Sequence, residues 1–316
     1  MPHLLRASSS FAYGLWLLAC LAGAVDNPPP AANADAVIKN DCTIVTFAVP
    51  SAAMGRTIRG VIVLPPAYAT ETDKRFPILY ALHGRGAPFT TWSDMAPMRI
   101  ALATKPMLVA SFDGDQQSWY LDSPLLQTTY LRPKDIPAGT TPEPAKSLFT
   151  TFFFDEFIPW VDAHYRSDPQ QRMLTGFSMG GYGTLHLLLQ HPESFVSVSA
   201  LSGAFQSSTK LDEFGIPRLQ HLLGPISTSA ELYKKADPLS NLEVFLDSGK
   251  KLPRCYFACG SEDPQVGLLD SNHALDQLLT RHGLPGCFHQ GPGKHDWAYW
   301  QGASADLINF HWQTLH

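Results

Sequence analysis

The stretch TGFSMGGYGTL, Thr175–Leu185, sets four glycines around a single serine. RMLTGF (172–177), before it, is a short continuous apolar run. YGTLHLLLQHP (182–192), after it, has the spacing of a helix. A strand, a sharp turn and a helix are the setting in which G-x-S-x-G holds a serine at the apex of the turn. Backbone at such an apex is strained and crowded, so the flanking residues must be small. Gly176, Gly180 and Gly181 satisfy that. The helix start also leaves amide N–H groups free above the serine. The competing reading is a glycine loop that only packs a helix closely onto a strand. The strand-turn-helix context favours the first, and Ser178 becomes the candidate nucleophile.

Working outward, the same kind of run recurs. PILYALH (77–83), PMLVASF (106–112), FVSVSAL (195–201) and RCYFACG (254–260) are nearly continuous in apolar residues, as strands buried on both faces require. Helical patterns over 149–165 and 267–283 lie between them. Strands alternating with helices predict an α/β domain with a parallel sheet covered on both faces. TIVTFAV (43–49) and TIRGVIVL (57–64) alternate instead, which predicts an antiparallel pair opening the sheet, with a turn at Met54-Gly55. Two long connections, 122–146 and 203–237, carry little periodicity. Both would emerge beyond carboxyl ends of strands, where ligands bind in such sheets.

A serine hydroxyl needs a base, and the base needs an orienting acid. After RCYFACG comes Ser261-Glu262-Asp263-Pro264, which makes Asp263 the candidate acid and Glu262 the second choice. After the last short strand, CFHQ (287–290), comes GPGKHDWAYW (291–300), which makes His295 the candidate base. Asp296 is adjacent to that base and badly placed to face it. An acyl-transfer site also needs two donors for a developing oxyanion. The N–H of Met179 is one candidate. The N–H of Arg85, in the glycine turn His83-Gly84-Arg85-Gly86, is the other.

Together LPPAY (64–68), YALHGRGAP (80–88), FDGDQQSWYLDS (112–123), GFSMGGYGTLHLLLQHPESF (176–195), SALSGAF (199–205), CGSEDP (259–264) and GPGKHDWAYW resemble the esterase D-like branch of the α/β-hydrolases. That branch includes S-formylglutathione hydrolases, feruloyl, acetylxylan and tributyrin esterases, and secreted mycolyltransferases. The resemblance implies an α/β-hydrolase fold and a serine esterase. It implies Ser178, Asp263 and His295 as the triad and the Arg85 and Met179 amides as the oxyanion hole. It also implies Trp119, Tyr120 and Asp113 near the substrate. Phe177 departs from the Leu or His common at its position, and Arg85 brings a cation to the oxyanion turn that could meet an acidic or phenolic group. Trp92, Trp119, Trp297 and Trp300 are candidates for an aromatic cleft, with ordinary core packing as the competing role. The expected substrate is a small acyl or aryl ester, including carbohydrate-linked ones. An acyltransferase and a non-catalytic binding module are the alternatives.

The rest of the chain sets limits. In 316 residues, 23 Lys and Arg against 28 Asp and Glu leave a net charge of -5, so no basic excess exists to hold nucleic acid. Arg6, the apolar run FAYGLWLLACLAGA (11–24) and Ala22-Gly23-Ala24 read as a signal peptide over 1–24, followed by a Pro-rich linker (25–36) and one domain (37–316). The run is too short to cross a bilayer comfortably. The protein is therefore expected to be secreted or periplasmic, and Leu17-Leu18-Ala19-Cys20 offers lipid anchoring through Cys20 as the alternative. Export permits disulfides among Cys42, Cys255, Cys259 and Cys287, but spacing does not choose a pairing over free thiols. No cofactor is expected. Asp113-Gly-Asp115 lacks the remaining spacing of a calcium loop, so no metal is expected either.

Overall fold

The computed structural model describes residues 35–127, 143–209 and 215–316. The expected signal peptide with Cys20, the linker up to residue 34, and parts of both long connections lie outside the described residues. In chain order the strands are β1 (Asp35–Lys39), β2 (Cys42–Ser51), β3 (Arg56–Leu64), β4 (Phe76–Leu82), β5 (Leu108–Phe112), β6 (Ser167–Phe177), β7 (Ser197–Leu201), β8 (Arg254–Gly260) and β9 (Phe288–Gly291). The helices are α1 (Ala67–Thr70), α2 (Ala96–Leu102), α3 (Phe149–Thr151), α4 (Ile158–His164), α5 (Met179–Gln190), α6 (Ile216–Leu223), α7 (Ile226–Lys235), α8 (Pro238–Asp247), α9 (Leu268–Arg281) and α10 (Trp297–Leu315).

One nine-stranded sheet runs in the order β1-β2-β3-β5-β4-β6-β7-β8-β9. Pairings from β1 through β3 to β5 are antiparallel, and those from β5 through β4 to β9 are parallel. The alternation in TIVTFAV and TIRGVIVL thus predicts the right pair, and β1 adds a third strand at the edge. Strand β1 starts at Asp35, inside the segment read as linker. Side chains of β4 divide between two cores: Ile78, Tyr80 and Leu82 face one, and Leu79 and Ala81 the other. The first core is closed by α5 and by the Phe-rich segment before α4. The second is closed by α2 and α10. Burial on both faces explains why these strands read as unbroken apolar runs.

Two elements differ from expectation. The helix read over 149–165 contains a π-helical stretch, Phe152–Phe157, just before Pro159. Proline has no N–H to give and its ring crowds the carbonyl four residues back, so a shifted hydrogen-bond register relieves both. The 203–237 connection is not irregular throughout, because it carries α6 and α7. Gly215, Pro217, Gly224 and Pro225 punctuate it and hide the periodicity. All four cysteines from Cys42 onward are free thiols.

Topology creates the site. Strand β4 has β5 on one side and β6 on the other, so the chain leaves its carboxyl end in one direction and later returns in the other. A crevice opens at such a switch point. The HGRG turn follows β4, and Ser178 follows β6.

Candidate active site

Ser178 follows β6 and caps α5 with φ 55° and ψ −117°, a left-handed conformation that non-glycine residues avoid. Three backbone hydrogen bonds hold it there. Its N–H donates to Leu201 O (3.0 Å), and its C=O accepts from Tyr182 N–H (3.0 Å) and Ala204 N–H (3.2 Å). The glycine requirement is steric. A Cβ on Gly180 would lie 2.2 Å from Leu82 O, and one on Gly176 would lie 2.2 Å from Gly180 O. Only glycines let α5 start this close to β4 and β6.

From the serine a hydrogen-bonded chain runs inward. Ser178 Oγ is 2.9 Å from His295 Nε2, and His295 Nδ1 is 2.7 Å from Asp263 Oδ2. The Asp263 side chain is fully buried, and its other oxygen accepts the Gln265 N–H at 3.0 Å. An acceptor-only carboxylate on Nδ1 leaves Nε2 as the acceptor for the serine hydroxyl. The Trp300 ring stands edge-on to His295 at 5.0 Å and stacks on Phe177 at 4.5 Å, closing one side of the imidazole. Glu262, the second choice for the acid, is exposed. Its N–H donates to Gly293 O, tying the loop after β8 to the loop that carries His295.

The HGRG turn is organised by His83, which the sequence flagged only as part of a turn. Its Nε2 accepts the Gly114 N–H at 2.8 Å, so Nδ1 carries the proton and donates to Gly84 O at 2.9 Å. Gly84 O also accepts the Ala87 N–H (3.1 Å), and Gly86 takes φ +72° at the next-to-last place of that turn. In a trans peptide C=O and N–H point in opposite directions. Two donors on Gly84 O therefore fix where the Arg85 N–H points. The Met179 N–H is the first of α5 and has no partner within the helix. The contact that reveals the role of His83 spans 31 residues and leaves no local signal.

Serine and imidazole line a cleft of about 500 Å³ together with Gly84, Arg85, Trp119 and Trp300. Helix α6 supplies a wall that the sequence did not suggest, through Pro217, Arg218 and His221. The Arg218 guanidinium lies 4.6 Å over the Trp119 ring and donates to the carbonyls of Ala204 and Gln206. Burial lowers the pKa of His221, and its Nε2 donates to Gln117 O at 3.0 Å.

Two residues expected near the substrate do not line the cleft. Asp113 pairs with Arg59 at 3.0 Å, because β3 runs antiparallel to β5 and sets Arg59 beside the end of that strand. Tyr120 is fully buried and donates its hydroxyl to His83 O at 2.9 Å, supporting the turn from below. Of the four tryptophans, Trp119 and Trp300 reach the cleft. Trp92 is core, donating to Leu82 O, and Trp297 is partly exposed.

A model of the family described as "Putative esterase" matches residues 51–310. The chain belongs to this esterase family. Among relatives of this family member, an esterase of Mycobacterium tuberculosis, Rv1288, is 25% identical over 280 residues, covering 81% of this chain and 56% of that protein. The chain thus spans little more than half the length of that relative. An acetyl esterase of Caldicellulosiruptor saccharolyticus is 26% identical over 251 residues, covering 75% of this chain and 82% of that one. The S-formylglutathione hydrolase of Agrobacterium tumefaciens superposes with a TM-score of 0.69 at 17% identity, over 89% of this chain and 99% of the other. At that identity the likeness establishes the fold, which is that of the α/β-hydrolases.

Proposed function

We propose that this protein is an exported serine carboxylic-ester hydrolase that works through an acyl-enzyme on small acyl or aryl esters. The observation that carries the reading is the unbroken chain Ser178 Oγ–His295 Nε2 (2.9 Å) and His295 Nδ1–Asp263 Oδ2 (2.7 Å) at the wall of a cleft. Ser178 attacks the ester carbonyl as His295 Nε2 takes its proton, and Asp263 holds the ring and stabilises the imidazolium. The oxyanion rests on the Arg85 and Met179 N–H groups. His295 then gives the proton to the departing alcohol. Water, deprotonated by the same nitrogen, attacks the acyl-enzyme and releases the acid.

Membership of an esterase family supports the reaction class. Support for export comes from the apolar run at 11–24 and the Ala22-Gly23-Ala24 site. Hydrolysis of nitrophenyl acetate, butyrate and octanoate and of methyl ferulate tests the reading, with Ser178→Ala alongside. The wild type is expected to cleave at least one ester, with activity falling by roughly 10³-fold or more in the variant. Equal rates in the two proteins would refute the assignment of Ser178. Transfer of the acyl group to an added alcohol in preference to water would replace hydrolase by acyltransferase. N-terminal sequencing of the exported protein checks processing: Val25 as the first residue fits the signal-peptide reading, and a lipidated Cys20 replaces it.

A further inference from the structure

Given the esterase reading above, the wall of the cleft carries information about its substrate. The chain as a whole has more acids than bases, 28 against 23. Among the described residues, the cleft is lined by Arg85, Arg218, His221 and His295, with no aspartate or glutamate. Asp263 lies behind His295, its side chain fully buried and bonded to that ring. Arg218 is occupied by the carbonyls of Ala204 and Gln206. Arg85 is different. It is exposed and sits where its own backbone N–H meets the reacting carbonyl. Gly84, pinned by His83 and Ala87, and Gly86, in the left-handed region, hold its Cα in place. Its charged end therefore extends from the reacting centre on a flexible stem, with no ion pair to a described residue.

We propose that Arg85 is a specificity-determining residue, and that the cleft prefers esters whose acyl or alcohol part carries a negative charge a few bonds from the ester. A guanidinium offers five donors in a planar fork that matches a carboxylate in a bidentate way. Such a pair at the edge of a cleft is only partly desolvated, so it shifts preference without being required for turnover. The backbone amide serves the reaction, and the side chain sorts the substrates.

The test compares esters that differ in charge but hardly in shape: 4-acetoxybenzoate against its methyl ester, and monomethyl adipate against dimethyl adipate. The readout is the ratio of kcat/KM, anionic over neutral, which cancels any general loss of activity. The wild type is expected to favour the anionic member in at least one pair. That ratio should fall about two- to fivefold in Arg85→Gln, survive in Arg85→Lys, reverse in Arg85→Glu, and shrink with added salt. Ser178-dependent cleavage with the same ratio in wild type, Arg85→Gln and Arg85→Glu would overturn the role of Arg85 and leave the esterase reading intact. A wild-type ratio below one in both pairs, or one insensitive to salt, would also overturn it. Failure to cleave any of the four esters, or any nitrophenyl ester, would remove both.

Discussion

At the residue scale the main cost is backbone strain at Ser178. A non-glycine residue held at φ 55° costs on the order of 1–3 kcal/mol, and its neighbours must hold it there. Gly180→Ala tests how tightly they do so. Alanine favours a helix over glycine by about 1 kcal/mol, but here its Cβ would meet a backbone oxygen at 2.2 Å. Backbone cannot move aside as a flexible side chain would. The clash wins, and a net loss of at least about 2 kcal/mol is expected in urea denaturation. Asp263→Asn is nearly isosteric and should leave the melting temperature close to wild type. It places the wrong hydrogen-bonding group against His295 Nδ1, so kcat for the best ester should drop by about 10⁴-fold. His83→Ala acts one step further from the reaction. It frees Gly84 O and with it the direction of the Arg85 N–H, so kcat should fall by about 10²-fold with KM little changed. A rise in KM alone, with kcat preserved, would argue against that role.

At the element scale the segment after β5 is the most strained. Asp115, Trp119 and Tyr120 all have positive φ. The segment is held by Arg56, whose Nη2 donates to both carboxylate oxygens of Asp115 at 2.8 and 2.7 Å. Burial pushes the Asp115 carboxyl up to about 7, against the pull of Arg56. Arg56→Met removes the partner and leaves the carboxyl buried. A loss of about 3 kcal/mol is expected at neutral pH. The sign of its pH dependence follows from a folded pKa raised above the unfolded value. The neutral acid suits the fold, so the penalty appears as pH rises through the range above about 4 and shrinks on acidification. Denaturation of the variant at pH 5 and pH 7.5 checks this, and a larger loss at pH 5 would contradict it.

For the whole molecule, acid should be the weak side. His311 on α10 is fully buried beneath the sheet, with Nδ1 2.7 Å from Ser197 Oγ and Nε2 2.8 Å from Ser199 Oγ. Ser199 gives its own proton to Thr175 Oγ1, so Nε2 is the donor and Nδ1 the acceptor. Burial lowers the pKa to about 3 from the ordinary 6.5. The unfolded chain then binds the extra proton first. Stability from this group is complete above 6.5 and is lost as pH falls towards 3, at about 1.4 kcal/mol per pH unit. His311→Gln should flatten that part of the stability curve, at the expense of stability at pH 7.5.

How much of this was legible depends on the range of the interactions. Unbroken apolar runs marked the inner strands because each is buried on both faces, and G-x-S-x-G in a strand-turn-helix marked Ser178 because the turn is local. The order of Ser178, Asp263 and His295 followed from the order of the strands, so the sequence by itself determined the sheet's parallel part and the residues of the proposed triad. Tertiary structure decided the rest. His83 reaches Gly114 at the end of the neighbouring strand, Arg59 draws Asp113 away from the crevice, and Tyr120 turns beneath the glycine turn. The wall formed by α6 was hidden by its glycines and prolines. These are contacts between segments far apart in the chain. They depend on which strands lie side by side, and no local periodicity encodes that.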